Sequence, residues 1–276
     1  MLPPGFPTLR ILPLCRLLLH ESHDGQRASP LSEKLRVEGI LRNPPIVMPL
    51  PDHTGRYMVL DGANRITALT DLEFPHTVAQ VVQATDRGVS LHPWNHVIWG
   101  ISPRTLMIHL RRIKGLSLYA LRPHRSVAAP RLAPMQVHLA DGRSFLVTLP
   151  ARMSSRVRAL RQLVDAYQDR SSVDRTSQTL IDSFRNLYAD LTGLIVFPRF
   201  DVATVLRLAG SGMILPPGIT RFTVSPRALH LNFPLHELSS ARPLAEKQAF
   251  LDRWVEDRVT SKGVRMYVET TYLFDE

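Results

Sequence analysis

One cysteine, Cys15, stands among 276 residues, so no disulfide can form within the chain and a secreted, disulfide-stapled fold is excluded. Lysine is nearly as scarce: Lys34, Lys114, Lys247 and Lys262 are the whole complement, and the net charge of +10 is carried by arginine. Such a chain attracts polyanions, and nucleic acid, nucleotide or a phosphorylated small molecule would all feel the same field. The basic residues are spread along the sequence, so charge alone does not choose among them. Long apolar runs are missing as well. No stretch offers the roughly 20 uninterrupted apolar residues of a membrane-spanning helix. The opening MLPPGFPTLRILPLCRLLLH is cut by prolines and by Arg10 and Arg16, and has no small-residue cleavage site. The expectation is a cytoplasmic protein with no membrane partner. A G-x-x-x-x-G-K loop is absent, which excludes a P-loop protein, and no H-E-x-x-H or cysteine cluster accompanies His20/His23 or His92/His96. No structural zinc site is expected.

What is present is an ordinary globular balance, 44% apolar and 21% charged, in a chain longer than a typical domain. Two units are expected, residues 1–90 and 91–276. The first reads as a proline-rich lead-in over residues 1–16 and a short strand over Cys15–His20, with Cys15 as an inert core residue. A polar turn, HESHDGQR, comes next. A helix follows in SPLSEKLRVEG, where Ser29 can cap, Pro30 suits the first helical position and Gly39 suits the left-handed stop. PPIVMPL and RYMVL are strands joined by a tight turn over Asp52–Gly55, a second helix runs to about Leu72, and HTVAQVVQ closes the unit as a strand. This is a compact α/β or α+β unit with mixed pairing.

The second unit is also mixed α/β. Asp141-Gly142 turns a hairpin in MQVHLADGRSFLVTL, and Met153, Val157, Leu160, Val164 and Tyr167 mark one buried face of a long helix. GLIVFPRF is a strand, Asp201 can cap the helix VATVLRLAG, GSG at 210–212 stops it, and LAEKQAFLDRWVEDRVT is a late helix.

Two places carry chemistry. In VLDGANRITAL a strand ends on Asp61-Gly62 and runs directly into a helix, offering backbone N–H groups and a helix dipole to an anion. Gly62 permits close approach, Arg65 can add a bidentate guanidinium, and Asp61 could hold Mg²⁺ on the same phosphates. A capped helix with Arg65 in a surface ion pair accounts for the spacing equally well. The second place is Glu21, projecting from the end of the first strand, where ligands of open α/β sheets gather. A carboxylate there can take a proton from a hydroxyl, or it can be a solvated loop glutamate.

The order of these pieces, from LLLHESHDGQR through LSEKLRVEGILRNPPIV to RYMVLDGANRITAL, resembles the N-terminal domain of the ParB/sulfiredoxin-like superfamily, whose G-x-x-R phosphate loop matches GANR at Gly62–Arg65. A sulfiredoxin would need a cysteine in that loop. The chromosome-partitioning ParB proteins would need a different arginine-rich motif and a following helix-turn-helix. WNHVI and LPPGITRF…PRALHLNFPL extend the likeness over both halves and point to the free L-serine kinase branch, including members associated with siderophore biosynthesis. The resemblance implies phosphoryl transfer from ATP or ADP, with Mg²⁺, to the hydroxyl of L-serine. It implies Glu21 as base, Asp61 as the metal-assisting carboxylate, and Gly62, Ala63, Asn64 and Arg65 as the phosphate cradle. Trp94, Asn95 and His96 would line the cleft between the halves. Thr220, Arg221 and His230 would hold the amino acid's carboxylate or the product phosphate. The rival expectation is a ParB-like, nucleotide-sensing regulator that binds DNA.

Overall fold

The computed structural model describes residues 5–22, 25–121 and 135–266. In chain order it contains β1 (Leu9–Pro13), β2 (Leu17–Leu19), α1 (Gly25–Glu38), β3 (Ile40–Leu41), β4 (Ile46–Pro49), β5 (Tyr57–Asp61), α2 (Ala63–Asp71) and β6 (His76–Val81). There follow β7 (Val89–Pro93), β8 (Asn95–Trp99), α3 (Pro103–Leu110), β9 (Ser117–Ala120), β10 (Met135–Leu139), β11 (Ser144–Thr148), α4 (Met153–Gln168) and β12 (Ser172–Thr176). The last elements are β13 (Leu191–Val196), α5 (Val202–Gly210), β14 (Thr220–Val224), β15 (Phe233–Pro234), α6 (Leu235–Ser239) and α7 (Leu244–Thr260). The class is mixed α/β, as the sequence indicated.

Five strands form the first sheet in the order β1-β6-β4-β5-β2, with β2 parallel to β5, β4 parallel to β6 and the other pairs antiparallel. Its pleat sends alternate residues to opposite faces. Val47 and Val59 share a core with Leu35 of α1, Leu69 of α2 and Leu251 of α7, whereas Met48, Met58 and Leu60 share one with Val205 and Leu206 of α5. Both faces are covered, so β4 and β5 read as nearly continuous apolar runs. The second sheet, β12-β8-β13-β10-β11-β9, is antiparallel throughout. The expected helical stripe of α4 packs on it, with Val157, Leu160, Val164 and Tyr167 beside Val137 and Val147. β7, between the two sheets in the chain's course, pairs with the late strand β14 in a two-stranded ribbon. The segment from Leu231 to Val259, downstream of the expected boundary, packs on the first sheet, where Phe233 and Leu251 are wholly buried.

Several local expectations change. The lead-in contains a strand, β1, because Leu9, Ile11 and Leu12 pair and pack against β6 before Pro13 ends the ladder. Cys15 is exposed, not buried in a strand: Leu14–Arg16 form a 3-10 turn after Pro13, and only Leu17–Leu19 pair. α1 starts at Gly25, which places Pro30 inside the helix rather than at its first position. The proline costs one i→i−4 bond without ending the helix. His23 and the Ser29 side chain lie outside the described residues. The stop at Gly39 is as read, with φ +65 and its N–H on the Leu35 carbonyl at 3.0 Å.

Candidate active site

Because β2 and β5 are parallel, their carboxyl ends lie on the same edge of the sheet, and the register pairs Leu19 with Val59. Two residues further along each strand come Glu21 and Asp61. The register of one short parallel pair therefore brings both sequence-predicted carboxylates to one edge. A cleft of about 830 Å³ opens there. Glu21, the Asp61–Arg65 loop, Trp94 and Thr220 all line it, joined by Asn43, Arg175, Gly218 and Arg227.

The loop has the shape of an anion site. α2 begins at Ala63 with Gly62 as its N-cap, no side chain caps it, and its first turn holds no acidic residue. The first N–H groups of any helix lack internal partners, and here they face the cleft with the positive end of the dipole. Gly62 is required twice over. Its φ is +92, and a Cβ would stand 2.9 Å from both the Pro45 side chain and the Arg65 guanidinium. Arg65 is folded back along the loop, donating from Nη1 to the Asn43 carbonyl at 3.2 Å and from Nη2 to Asp61 Oδ2 at 3.2 Å. Arg227 donates to the same Asp61 oxygen. Two guanidiniums around one carboxylate leave a net positive charge at the helix start. The ion pair of one sequence reading is present, and the same loop leaves its helix-start N–H groups available to an anion, as the other reading requires. Asp61 Oδ1 takes part in neither pair, so one carboxylate oxygen fits a Mg²⁺ ion of the kind that is held mainly by nucleotide phosphates. Among the described residues no group of three or more His, Cys, Asp or Glu side chains forms a metal cage.

Glu21 is gripped by the segment after α5. Its Oε2 accepts from the Gly218 N–H at 2.7 Å, and its Oε1 accepts from the Thr220 N–H at 2.6 Å and from the Thr220 hydroxyl. A parallel bridge from Glu21 to Leu215 anchors the backbone. A carboxylate has about four lone-pair positions. The three bonds from Gly218 and Thr220 fix its plane and leave a position for a further donor in the cleft.

The other predicted residues separate. Trp94 lines the cleft, with the Arg175 and Arg221 guanidinium carbons 5.3 and 5.6 Å from its ring centre. Asn95 and His96 do not line it. Asn95 is buried, donating to the Gln178 carbonyl at 2.9 Å and accepting from the Phe197 N–H at 3.1 Å. His96 lies buried behind the wall, between the Tyr167 hydroxyl at 2.7 Å and the Gly218 carbonyl at 2.8 Å. The carbonyl can only accept, so Nε2 carries the proton and Nδ1 receives the Tyr167 O–H. Trp94 sits in the break between β7 and β8, outside the ladder, whereas Asn95 and His96 are the first paired residues of β8 and are both buried. Thr220 reaches the site, whereas neighbouring Arg221 points to the other face and is exposed. His230 is outside the lining. Its N–H binds Asn43 Oδ1 at 2.8 Å, and its Nε2 is the one buried side-chain N or O atom without a hydrogen-bond partner among the described residues.

Arg175, Gly218, Arg227 and Asn43 were missed. Arg175 lies so close over Gly218 that a Cβ there would meet its Nε at 2.1 Å; Gly218 also has φ +71. The one signal available was Gly218 itself, a glycine inside LPPGITRF.

No family model matches the chain. The ATP-dependent L-serine kinase SbnI of Staphylococcus aureus is 22% identical over 273 residues, covering 97% of each chain. The solved structure of a C-terminally truncated SbnI from the same organism superimposes with a TM-score of 0.73 at 21% identity, covering 91% of this chain and 97% of that one. A free serine kinase in complex with AMP gives a TM-score of 0.69 at 14% identity, covering 86% of this chain and 98% of that one. The fold is therefore shared with these kinases along almost the whole chain.

Proposed function

We propose that this chain is a free L-serine kinase, transferring the terminal phosphoryl group of ATP or ADP to the serine hydroxyl to give O-phospho-L-serine. One observation carries the reading: a carboxylate oriented by three hydrogen bonds shares a cleft with an uncapped, arginine-flanked helix start, in a chain that has the fold of the serine kinases. Phosphoryl transfer asks a protein mainly to position reactants and neutralise charge, and this site offers both.

The nucleotide's terminal phosphates would lie on the N–H groups at the start of α2, with Gly62 allowing contact and Arg65 and Arg227 supplying charge. Asp61 would hold Mg²⁺ through Oδ1; when bound, that ion neutralises phosphate charge. Glu21 would accept the proton of the serine hydroxyl at its remaining lone pair. Arg175, stacked against Trp94 and Gly218 beside Glu21, would bind the serine carboxylate, placing the hydroxyl one side-chain length away. The buried pair Asn95 and His96 would hold the cleft's back wall without touching substrate. By resemblance, the product would feed a cytoplasmic siderophore or diaminopropionate-type pathway.

The test is direct. Protein incubated with Mg²⁺, L-serine and either ATP or ADP should form O-phosphoserine, read by ³¹P NMR or mass spectrometry. Glu21→Gln should reduce turnover by about 100-fold or more with the fold retained, while the one N–H donor that loses its acceptor should lower Tm by a few degrees. No product with either nucleotide would overturn the reading.

A further inference from the structure

We infer that His20 is a positioning residue that shares protons with Glu21 through the Thr220 hydroxyl, the three side chains acting as one proton-holding unit. The role in turnover rests on the kinase reading. The shared proton does not.

His20 is buried, 7% exposed, directly before Glu21. Its Nδ1 lies 2.6 Å from the Val59 carbonyl and its Nε2 lies 2.9 Å from Thr220 Oγ1. The same hydroxyl contacts Glu21 Oε1. Phe222 closes the ring's edge at a centroid distance of 5.4 Å. Charged and titratable groups on the surrounding elements include Glu21 itself, Asp61 at the end of β5, Arg221 on β14, His92 on β7, Arg207 on α5 and Arg175 on β12. Of these, Glu21 is the one joined to His20 through a single hydroxyl.

Proton counting gives the rest. The Val59 carbonyl can only accept, so Nδ1 keeps its proton in every state. Two links remain, Nε2 to Oγ1 and Oγ1 to Oε1, and each needs one proton. The hydroxyl supplies one. With an ionised Glu21 and a neutral His20, the unit is one proton short and only one link can be made. With one proton added, both links form, and that proton rests either on Glu21 or on Nε2. The two placements differ only by a concerted shift through the hydroxyl.

Proton abstraction from serine uses the lone pair outside both links, the open one on Glu21 Oε2. With the shared proton on His20 Nε2, both links hold Glu21 as a carboxylate before the step. The serine O–H bond breaks and its proton passes to Oε2. The serine oxygen keeps its electron pair and forms the new bond to the terminal phosphorus, as the bond from that phosphorus to the bridging oxygen of the nucleotide breaks. The proton returns to solvent after product leaves. His20 thus keeps Glu21 ionised and its plane fixed, with Oε2 turned to the reacting hydroxyl.

The test reads the shared proton apart from activity. The His20 ring nitrogens are followed by ¹⁵N NMR across pH in the intact protein, in Glu21→Gln, in Thr220→Val and in the double variant. Glu21→Gln should move the His20 titration by about one unit or more, a tenfold change in proton affinity, and by less than half of that in the Thr220→Val background. A His20 titration indifferent to Glu21→Gln, or a shift equally large without the Thr220 hydroxyl, would overturn the inference. In turnover, His20→Asn keeps a donor for Val59 and deletes Nε2. It should lower kcat by about tenfold, displace the acid limb of the pH profile and leave KM for nucleotide unchanged. A loss uniform across pH would mean a merely structural histidine. Should His20→Asn fail to fold, His20→Gln serves, since its amide reaches Thr220 but cannot take up a proton. Absence of O-phosphoserine from the intact protein would remove the kinase reading while leaving the NMR result to decide the proton unit.

Discussion

At His96 the imidazole's ordinary value of 6.5 falls to about 4, because burial penalises the charged ring and Arg175 adds repulsion against a partly offsetting bond to the Gly218 carbonyl. Between about pH 6.5 and 4 the unfolded chain binds a proton that the native chain refuses, so stability rises with pH across that window and falls on acidification. The loss from this one group amounts to about 3 kcal/mol by pH 4. Urea unfolding at pH 7 and pH 4.5 should show it, and His96→Gln should shrink the difference between the two by about 2.5 kcal/mol. Tyr167, wholly enclosed, is pushed well above its usual value by the same burial, so the pair stays neutral throughout. Arg175 makes a different residue-scale prediction. If it binds the serine carboxylate, Arg175→Gln removes a charged hydrogen bond of about 2 kcal/mol and should raise KM for serine about 30-fold, with KM for nucleotide little changed.

Helix α2 shows how the start of an element can be left open to an anion. Its nine residues have no side-chain cap, and its left-handed N-cap is a glycine pressed against Pro45 and Arg65. Gly62→Ala should weaken nucleotide binding by more than tenfold in a fluorescence or calorimetric titration, since the Cβ displaces Arg65 and strains the turn. α5 is the contrast, capped conventionally: Asp201 accepts from the Thr204 N–H at 2.7 Å. Asp201→Ala should cost about 1 kcal/mol of stability and leave turnover alone. Both helix starts were legible, Asp201 as a capping residue and Gly62 as a turn before a helix. What the α2 start faces was not. The β1 strand was hidden by its prolines and α1's beginning by Pro30, because local propensity reads a proline as a stop where packing carries the chain past it.

On the scale of the molecule, the site joins residues 166 to 199 positions apart: Glu21 is held by Gly218 and Thr220, and Asp61 by Arg227. The core is joined likewise, with Ile11, Val47, Phe233 and Leu251 in one cluster. If nucleotide binds this arrangement as proposed, it should stabilise the whole. At about 100 times Kd, ATP should add about 2.7 kcal/mol and raise Tm by several degrees, an effect absent from Gly62→Ala. No described helix is long and apolar enough to cross a membrane. DNA binding has only the net charge of +10 in its favour.

The sequence by itself determined the mixed α/β class, the strand–glycine–helix loop, the hairpin turns at Asp52–Gly55 and Asp141-Gly142 and the buried stripe of α4. All of these depend on interactions within a few residues, where periodicity and turn chemistry speak directly. It also picked out Glu21, Asp61 and Arg65, which lie at strand and helix ends. Only the tertiary structure decided that Arg175, Gly218 and Arg227 join them while Asn95 and His96 turn inward. Side-chain direction in β8 is set by its pairing with β12 and β13, and Gly218 meets a carboxylate 197 residues away, so no local pattern encodes which distant segment will supply the partner.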